Sequence, residues 1–225
     1  MHEKRFSGDI TRLRSVERIE RLEVERVVQC CLEGGNFSNI LDVGTGSGLF
    51  VEGFYQHNLE VTGIDVNFEM LPAARSYVPH GRFLQATAEA LPFASKSFDL
   101  IFYGLVFHEV DDPTRVLEAA RRVSRKRICL LEWPYREQSF GPPMYDRLSP
   151  ARLEELFNQA GFVRWECIRL KNTDLYCLEH YDAGLVNSNQ PMIRGLLITS
   201  KTSSMSRLNL RTINLPYGFA RWRQL

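Results

Sequence analysis

The stretch Leu41-Asp42-Val43-Gly44-Thr45-Gly46-Ser47-Gly48 carries the strongest indication of the fold of this chain. Its first residues belong to a short, mainly apolar segment, 39–43, and a helix-forming segment over residues 50–57 follows it. Glycine lacks a Cβ atom, so glycines at positions 44, 46 and 48 let a loop turn sharply and bring its backbone against a ligand. The stretch predicts a strand, a ligand-binding loop and a helix, in that order.

The glycine spacing indicates which kind of ligand the loop binds. A dinucleotide-binding loop reads G-x-G-x-x-G and places a pyrophosphate at the helix N-terminus. Here the third glycine comes one residue earlier, and Asp42 lies two residues before Gly44. A carboxylate at this point suits a ligand with an ammonium group and repels a pyrophosphate. A tight turn without a ligand is the alternative interpretation of the loop.

Asp65 adds a second indication of a nucleotide ligand. It ends the predicted strand 59–64, 21 residues after Gly44. An acidic side chain at this position can accept both hydroxyls of an adenosine ribose. The alternative role is a cap of the following helix. Several adenosine cofactors require an acid here, so Asp65 indicates adenosine without choosing between them.

Strands and helices alternate along most of the chain. Apolar strands that alternate with helices are typical of an α/β fold with a sheet covered on both faces. We predict a Rossmann-like, doubly wound, seven-stranded sheet, mostly parallel. A short turn joins the last two strands, so the last strand is expected to run antiparallel. The seven predicted strands are residues 39–43, 59–64, 82–86, 98–103, 127–132, 162–170 and 173–179.

The length of 225 residues suits one α/β domain. We assign residues 1–181 to that domain, with an N-terminal helical arm in which Ser15 caps a helix. Residues 182–225 hold six Lys or Arg and one acidic residue, and they follow the last predicted strand. We expect them to form a basic C-terminal extension, peripheral or flexible.

The composition argues against several functional classes. The net charge is +1, which gives no reason to expect nucleic acid or an anionic membrane as a partner. No apolar run approaches the ~20 residues that span a bilayer, and the N-terminus lacks the apolar core of a signal peptide. The five cysteines form no C-x-x-C pair, so we expect reduced thiols and no metal site. The chain is expected to be cytoplasmic.

Further motifs identify a family. They are Gly63-Ile64-Asp65, Ala88-Glu89-Ala90-Leu91-Pro92-Phe93, Phe98-Asp99 and Arg121-Arg122-Val123. These motifs and the glycine loop occur in the order and spacing found in the class I S-adenosylmethionine-dependent methyltransferases, which the chain resembles. It is most similar to the small-molecule type 11 branch, which includes quinone-biosynthesis methyltransferases. The resemblance covers roughly residues 39–180, about three-fifths of the chain.

The resemblance implies S-adenosylmethionine as the cofactor and assigns its contacts. The loop backbone would lie behind the methionine portion, the end of the second strand would hold the ribose, and residues after the third strand would border the adenine. The end of the fourth strand would flank the sulfonium. Thr87 stands where relatives often have an aspartate, so the contact to the adenine amine must come from another group. The implied cofactor residues are Asp42, Gly44, Thr45, Gly46, Gly48, Asp65, Val66, Ala88, Glu89, Tyr103 and Gly104.

Two candidate catalytic residues follow the fourth strand, at the sheet edge where α/β proteins bind ligands. His108 is the candidate general base, because a neutral imidazole takes a proton near neutral pH. Glu109 would orient it or take the role itself. Alternatively, both residues cap the adjacent loop. Methyl transfer needs a base only when the acceptor is protonated at rest.

Two segments could form the pocket for the methyl acceptor. Both combine aromatic residues with arginines, which suits a planar, anionic molecule. A solvated arm and a Trp133 buried in the core are the alternative interpretations. The residues concerned are Arg5, Phe6, Arg12, Leu13 and Arg14 in the arm, and Glu132, Trp133, Pro134, Tyr135 and Arg136 after the fifth strand.

The sequence therefore predicts a methyltransferase that moves a methyl group to O, N or C of a small-molecule acceptor. One alternative is an NAD-dependent oxidoreductase, which the glycine spacing and Asp42 disfavour. Another is a catalytically silent partner protein that binds S-adenosylmethionine. The sequence carries no prediction of the oligomeric state.

Overall fold

A computed structural model describes residues 9–179 and the backbone of Ile198 and Thr199. One sheet runs through this part of the chain, with the strand order β3-β2-β1-β4-β5-β7-β6-β8. The strands are β1 Asn39–Val43, β2 Glu60–Asp65, β3 Arg82–Gln85, β4 Phe98–Gly104, β5 Ser124–Glu132, β6 Trp165–Arg169, β7 Asp174–Glu179 and β8 Ile198–Thr199.

The predicted fold class is confirmed. Strands β1 to β5 pair in parallel, and β7 runs antiparallel between β5 and β6. The short β6–β7 connection produces this insertion, because only antiparallel neighbours can be joined by so few residues. The two-residue β8 adds an eighth, parallel strand at the edge beside β6. It was not predicted and belongs to the segment 182–225; the rest of the expected C-terminal extension lies outside the described residues.

Helices cover both faces of the sheet. Buried residues of α3 and α4 pack on one face, and those of α6 and α7 pack on the other. Successive strand residues alternate between the two cores, since side chains in a strand point to opposite faces. Leu100 and Phe102 of β4 enter the first core, and Ile101 and Tyr103 enter the second. The helices are α1 Ile10–Leu13, α2 Val16–Leu22, α3 Val24–Leu32, α4 Leu49–Gln56, α5 Leu71–Tyr77, α6 Pro113–Val123 and α7 Pro150–Gln159.

The connections between the strands determine where a ligand site can form. From β1 the chain winds outward to β2 and β3, then returns to β4 on the other side of β1. The loops after β1 and β4 therefore leave the sheet in opposite directions and open a crevice at the carboxyl ends of the strands.

Two consecutive helices, α2 and α3, take the place of the single helix expected after Ser15. Ser15 caps α2 by accepting the N–H of Arg18 at 3.3 Å. Glu23, with φ of 48°, interrupts the helix before α3. Leu22 and Val24 are both buried, although residues two apart face different sides of one helix. The break lets both enter the core.

Among the described helices none is long and apolar enough to cross a bilayer. The longest, α6, has 11 residues.

Candidate functional site

A cavity of about 1080 Å³ lies at the carboxyl ends of β1, β2 and β4. The loop after β1 and the end of β2 line it, together with the loops after β4 and β5. Helices α1 and α2 of the arm close one side. Pockets of this size bury most of the surface of a small ligand.

The glycine loop takes the shape that its sequence predicts. Gly44 and Gly46 line the cavity with φ of 71° and 51°, values that side chains disfavour. A Cβ atom on Gly44 would lie 2.3 Å from a methyl group of Val106. Gly48 does not line the cavity. It begins α4, and a Cβ atom there would lie 2.9 Å from the Cα of Ala74 in α5.

Asp42 stabilises the loop from behind the cavity wall. Its side chain is buried and accepts the hydroxyl of Thr45 at 2.8 Å. Burial raises the pKa of Asp42 to about 7, with the charge of Asp65 contributing and the Thr45 hydrogen bond opposing. Neither Asp42 nor Thr45 is among the residues that line the cavity. Their predicted role in cofactor binding would therefore be indirect, through the loop conformation.

Asp65 faces the cavity at the end of β2. One carboxylate oxygen accepts the N–H of Gly46 and the other accepts the N–H of Asn67, each at 2.8 Å. Burial raises the pKa of Asp65, and these hydrogen bonds oppose the rise. The carboxylate is held in a fixed orientation and keeps free lone pairs for the hydroxyls of a ligand.

The remaining residues predicted to contact the adenosine lie on the same side of the cavity. Val66 and Ala88 supply apolar surface, and Glu89 supplies a carboxylate. Val66 is 39% exposed, as expected of an apolar residue at the edge of a ligand site. Met70 adds an apolar contact to this wall that the sequence analysis did not predict.

The end of β4 turns abruptly into the cavity. Tyr103 is fully buried and does not line the cavity, whereas Gly104 and Leu105 do. The hydroxyl of Tyr103 has no hydrogen-bond partner among the described residues, and burial raises its pKa far above the usual value. Leu105 adopts φ of 61°, a strained conformation for a branched side chain. This turn directs the next residues towards the ligand site.

His108 is held by a carboxylate from the neighbouring strand. Its Nδ1 lies 2.8 Å from Oε2 of Glu132, the last residue of β5. The other Glu132 oxygen accepts the backbone N–H of His108 at 3.3 Å. A carboxylate only accepts, so Nδ1 carries a hydrogen and Nε2 remains for another partner. Oε1 of Glu109 lies 3.7 Å from Nε2, and both His108 and Glu109 line the cavity.

The charges around His108 favour its protonated form. Burial is the largest single influence and lowers the pKa of the imidazole, whereas the charge and hydrogen bond of Glu132 raise it. Glu109 and Asp146 contribute in the same direction, and the net pKa of His108 is raised. Glu132 was predicted only as part of an acceptor pocket. A carboxylate directly after the apolar run of residues 128–131, in the strand next to β4, is the signal that could have paired it with His108.

The arginines of the arm divide between the cavity wall and the glycine loop. Arg14 donates to the Ser47 carbonyl at 2.9 Å, pairs with Glu52 and stacks on Tyr77, so it fastens the arm to the glycine loop. Arg12 and Leu13 line the cavity as predicted, and Arg18 and Arg21 join them.

In the segment after β5, Trp133 lines the cavity. Tyr135 is 51% exposed, and Arg136 donates to the Lys171 carbonyl at 3.0 Å. Arg5 and Phe6 lie outside the described residues.

The residues present fit S-adenosylmethionine. Gly46 leaves open space above its Cα, since a Cβ there would meet only Leu13, at 3.8 Å. Asp65 offers an oriented carboxylate to a ribose, and Ala88 offers an apolar surface to a purine. Within residues 9–179 no group of three or more His, Cys, Asp or Glu is arranged to hold a metal ion.

Comparison with known proteins identifies the segment around this cavity. Residues 41–128 match the family described as "Methyltransferase domain". A demethylmenaquinone methyltransferase of Thermotoga maritima is 36% identical over 112 residues, which are 48% of this chain and 48% of that protein. The uncharacterised methyltransferase YcgJ of Bacillus subtilis is 37% identical over 144 residues, 61% of this chain and 57% of its own length. The chain thus spans about half the length of these curated relatives.

A solved structure shares the fold. The crystal structure of a SAM-dependent methyltransferase from Aquifex aeolicus aligns with a TM-score of 0.66 and 23% identity, over 76% of this chain and 96% of that one. At this identity the solved structure shows the fold, and the family match over residues 41–128 agrees with the resemblance stated from the motifs.

Proposed function

We propose that the chain is a class I S-adenosylmethionine-dependent methyltransferase of the type 11 branch, which transfers a methyl group from that cofactor to O, N or C of a small molecule. The match of residues 41–128 to the methyltransferase domain family supports this proposal. The main support for the proposal is that the glycine loop, Asp65 and His108 line one cavity. We assign residues 1–181 to the catalytic domain and 182–225 to an extension of it.

The proposed cofactor residues fall into two groups. Gly44, Gly46 and Gly104 would contact the methionine portion through their backbone, and Asp65 would accept the ribose hydroxyls. Val66, Ala88 and Glu89 would border the adenine. Asp42, Thr45, Gly48 and Tyr103 lie behind this surface and would shape it.

The protein's part in the reaction is to orient the acceptor and exclude water. When bound, the cofactor supplies a methyl group on a positively charged sulfur, which is already electrophilic. The arm helices close the cavity on one side, and a closed site aligns a nucleophile more strictly than an open one.

We propose that His108 contacts the acceptor, with Glu132 as the residue that positions it. The Glu132 carboxylate fixes the imidazole ring and leaves Nε2 available. The raised pKa of His108 makes it a better hydrogen-bond donor at neutral pH than a free imidazole. Glu109, 3.7 Å from that nitrogen, is the proposed group to receive a proton from an acceptor that must lose one.

The first test is calorimetric titration with S-adenosylmethionine, S-adenosylhomocysteine and NAD. We expect the first two to bind and Asp65→Ala to weaken both by about tenfold to a hundredfold, since hydrogen bonds to a charged group are lost. Glu60→Ala is the matched control, because Glu60 is an exposed acid at the opposite end of the same strand. It should bind like the wild type.

The alternatives predict different results in the same titration. NAD binding without S-adenosylmethionine binding would show an oxidoreductase and overturn the proposal. Cofactor binding with no methyl transfer to any of a panel of phenols, amines and carboxylic acids would favour the catalytically silent partner protein.

A further inference from the structure

Three arginines of the arm line one wall of the cavity. Arg12 comes from α1, and Arg18 and Arg21 come from α2. Arg18 and Arg21 are three residues apart on α2, so their side chains lie on one face of the helix. Burial lowers the pKa of Arg18, and the charges of Arg12 and Arg21 lower it further. Glu109 acts in the opposite direction without restoring the ordinary value. An anion at this wall would relieve the repulsion.

The two α2 arginines lie at the acceptor end of the cavity. The Arg21 guanidinium is 4.6 Å above the ring of Phe140, in the loop after β5. It also pairs with Glu17, which lines the cavity, so Arg18 is the main candidate to meet an anion. Arg18 lines the same cavity as Glu109, the neighbour of His108. By contrast, Leu13 of α1 lies over Gly46 in the glycine loop. The arm therefore runs from the cofactor end of the cavity to the acceptor end, and α2 covers the latter.

The position of α2 is fixed by contacts outside the cavity. Oε2 of Glu23 accepts the N–H of Lys171 at 2.7 Å, and Asn172 donates to the carbonyl of Arg21 at 3.0 Å. Both partners lie in the β6–β7 turn. Because these contacts hold the helix in place before binding, less entropy is lost when a ligand meets its arginines.

An aromatic pair lies next to Arg21 in the cavity wall. Trp133 and Phe140 both line the cavity, with ring centroids 5.9 Å apart. An apolar or aromatic body could pack against this ring pair while a charged end meets the arginines.

We propose that the methyl acceptor is a small carboxylic acid, held through its carboxylate by Arg18 with the help of Arg21, and through its apolar body by Trp133 and Phe140. This inference rests on the proposed function and names the substrate class for the same site. The carboxylate that Arg18 meets could also be that of the cofactor's methionine, so the test separates the two sources.

The first arm of the test compares Arg18→Gln with the wild type in the binding of S-adenosylhomocysteine and methylthioadenosine, which lacks the methionine carboxylate. We expect the variant to bind both within about twofold of the wild type. Retained binding also shows that the variant is folded. If Arg18→Gln weakens S-adenosylhomocysteine alone, Arg18 serves the cofactor and the proposal is wrong.

The second arm measures the acceptor preference with S-adenosylhomocysteine saturating. Matched acid and amide pairs, such as benzoate with benzamide and hexanoate with hexanamide, are titrated into the wild type. At least one acid should bind about tenfold or more tightly than its amide, and Arg18→Gln should bring that ratio to about one. Arg21→Gln should reduce the ratio less. Arg152→Gln, which removes an exposed arginine of α7, should leave it unchanged.

Two results would overturn the inference while leaving the proposed function intact: no acid that binds better than its amide, or an acid preference that survives Arg18→Gln. Failure of the wild type to bind S-adenosylhomocysteine would instead overturn the proposed function.

Discussion

Two aspartates at the ends of neighbouring strands have different environments. Asp42 pairs in register with Gly63 of β2, behind the cavity wall, and is 2% exposed. Asp65 lies two residues further along its strand and reaches the cavity. The two carboxylates therefore have different proposed tasks, Asp42 stabilising the loop and Asp65 contacting the ligand.

Burial of Asp42 gives the stability of the fold a pH dependence. Its pKa is about 7 in the folded protein, against an ordinary value of 3.8 for an aspartate, so the native state keeps this proton to a higher pH than the unfolded state does. Stability from this group therefore falls as pH rises from about 4 to 7. Asp42→Asn keeps an acceptor for Thr45 and removes the proton, so its free energy of unfolding relative to the wild type should increase over that range.

Urea unfolding at pH 5, 6, 7 and 8 measures this difference. Each pKa unit corresponds to about 1.4 kcal/mol, which sets the scale of the expected gain. Parallel stability profiles for the two proteins would show that Asp42 does not carry the dependence.

At the scale of elements, the loop after β5 depends on one buried arginine. The Arg147 guanidinium donates to the carbonyls of Pro142, Phe140 and Pro134, at 2.9, 2.9 and 3.0 Å. It also donates to the side chain of Gln138 at 2.8 Å. The loop has little regular structure of its own, so these bonds hold Phe140 in the cavity wall.

Replacing Arg147 should therefore affect the loop more than an ordinary arginine replacement. Arg147→Met leaves several buried carbonyls without a donor, and we expect a loss of about 2–4 kcal/mol in the free energy of unfolding. Arg152→Met, at an exposed position, should change it by less than about 0.5 kcal/mol. Equal effects of the two substitutions in urea unfolding would contradict this role.

At the scale of the molecule, the cavity joins elements that are far apart in the sequence. The arm, the loops after β1, β2 and β4, and the loop after β5 all contribute to its wall. A ligand that touches several of these elements binds only when all are assembled. It should thus stabilise the whole fold.

Saturation with S-adenosylhomocysteine should raise the thermal midpoint. At a concentration of about 100 times Kd the stabilisation is about 2.7 kcal/mol, which corresponds to about 5–11 °C for a protein of this size. A thermal scan with and without ligand measures the shift. NAD at equal concentration should produce none, and an NAD-induced shift of that size would support the oxidoreductase alternative.

Local patterns in the sequence were sufficient to predict much of the fold. Asp112 and Ser149 are each followed by a proline, a local pattern typical of a helix start, and they cap α6 and α7 in the structure. The glycines at 44, 46 and 48 all adopt positive φ. These features depend on backbone preferences and on hydrophobic alternation, which neighbouring residues determine by themselves.

The tertiary structure alone decided which side chains meet. His108 and Glu132 are separated by 24 positions, and Arg18 reaches the cavity only because α2 is docked on the β6–β7 turn. The burial that removes Asp42 from the cavity depends on packing around it, which periodicity does not describe. Contacts between distant residues follow from how the layers pack, so the sequence determined the frame of the site, and only the folded chain determined its charged wall and its histidine–glutamate pair.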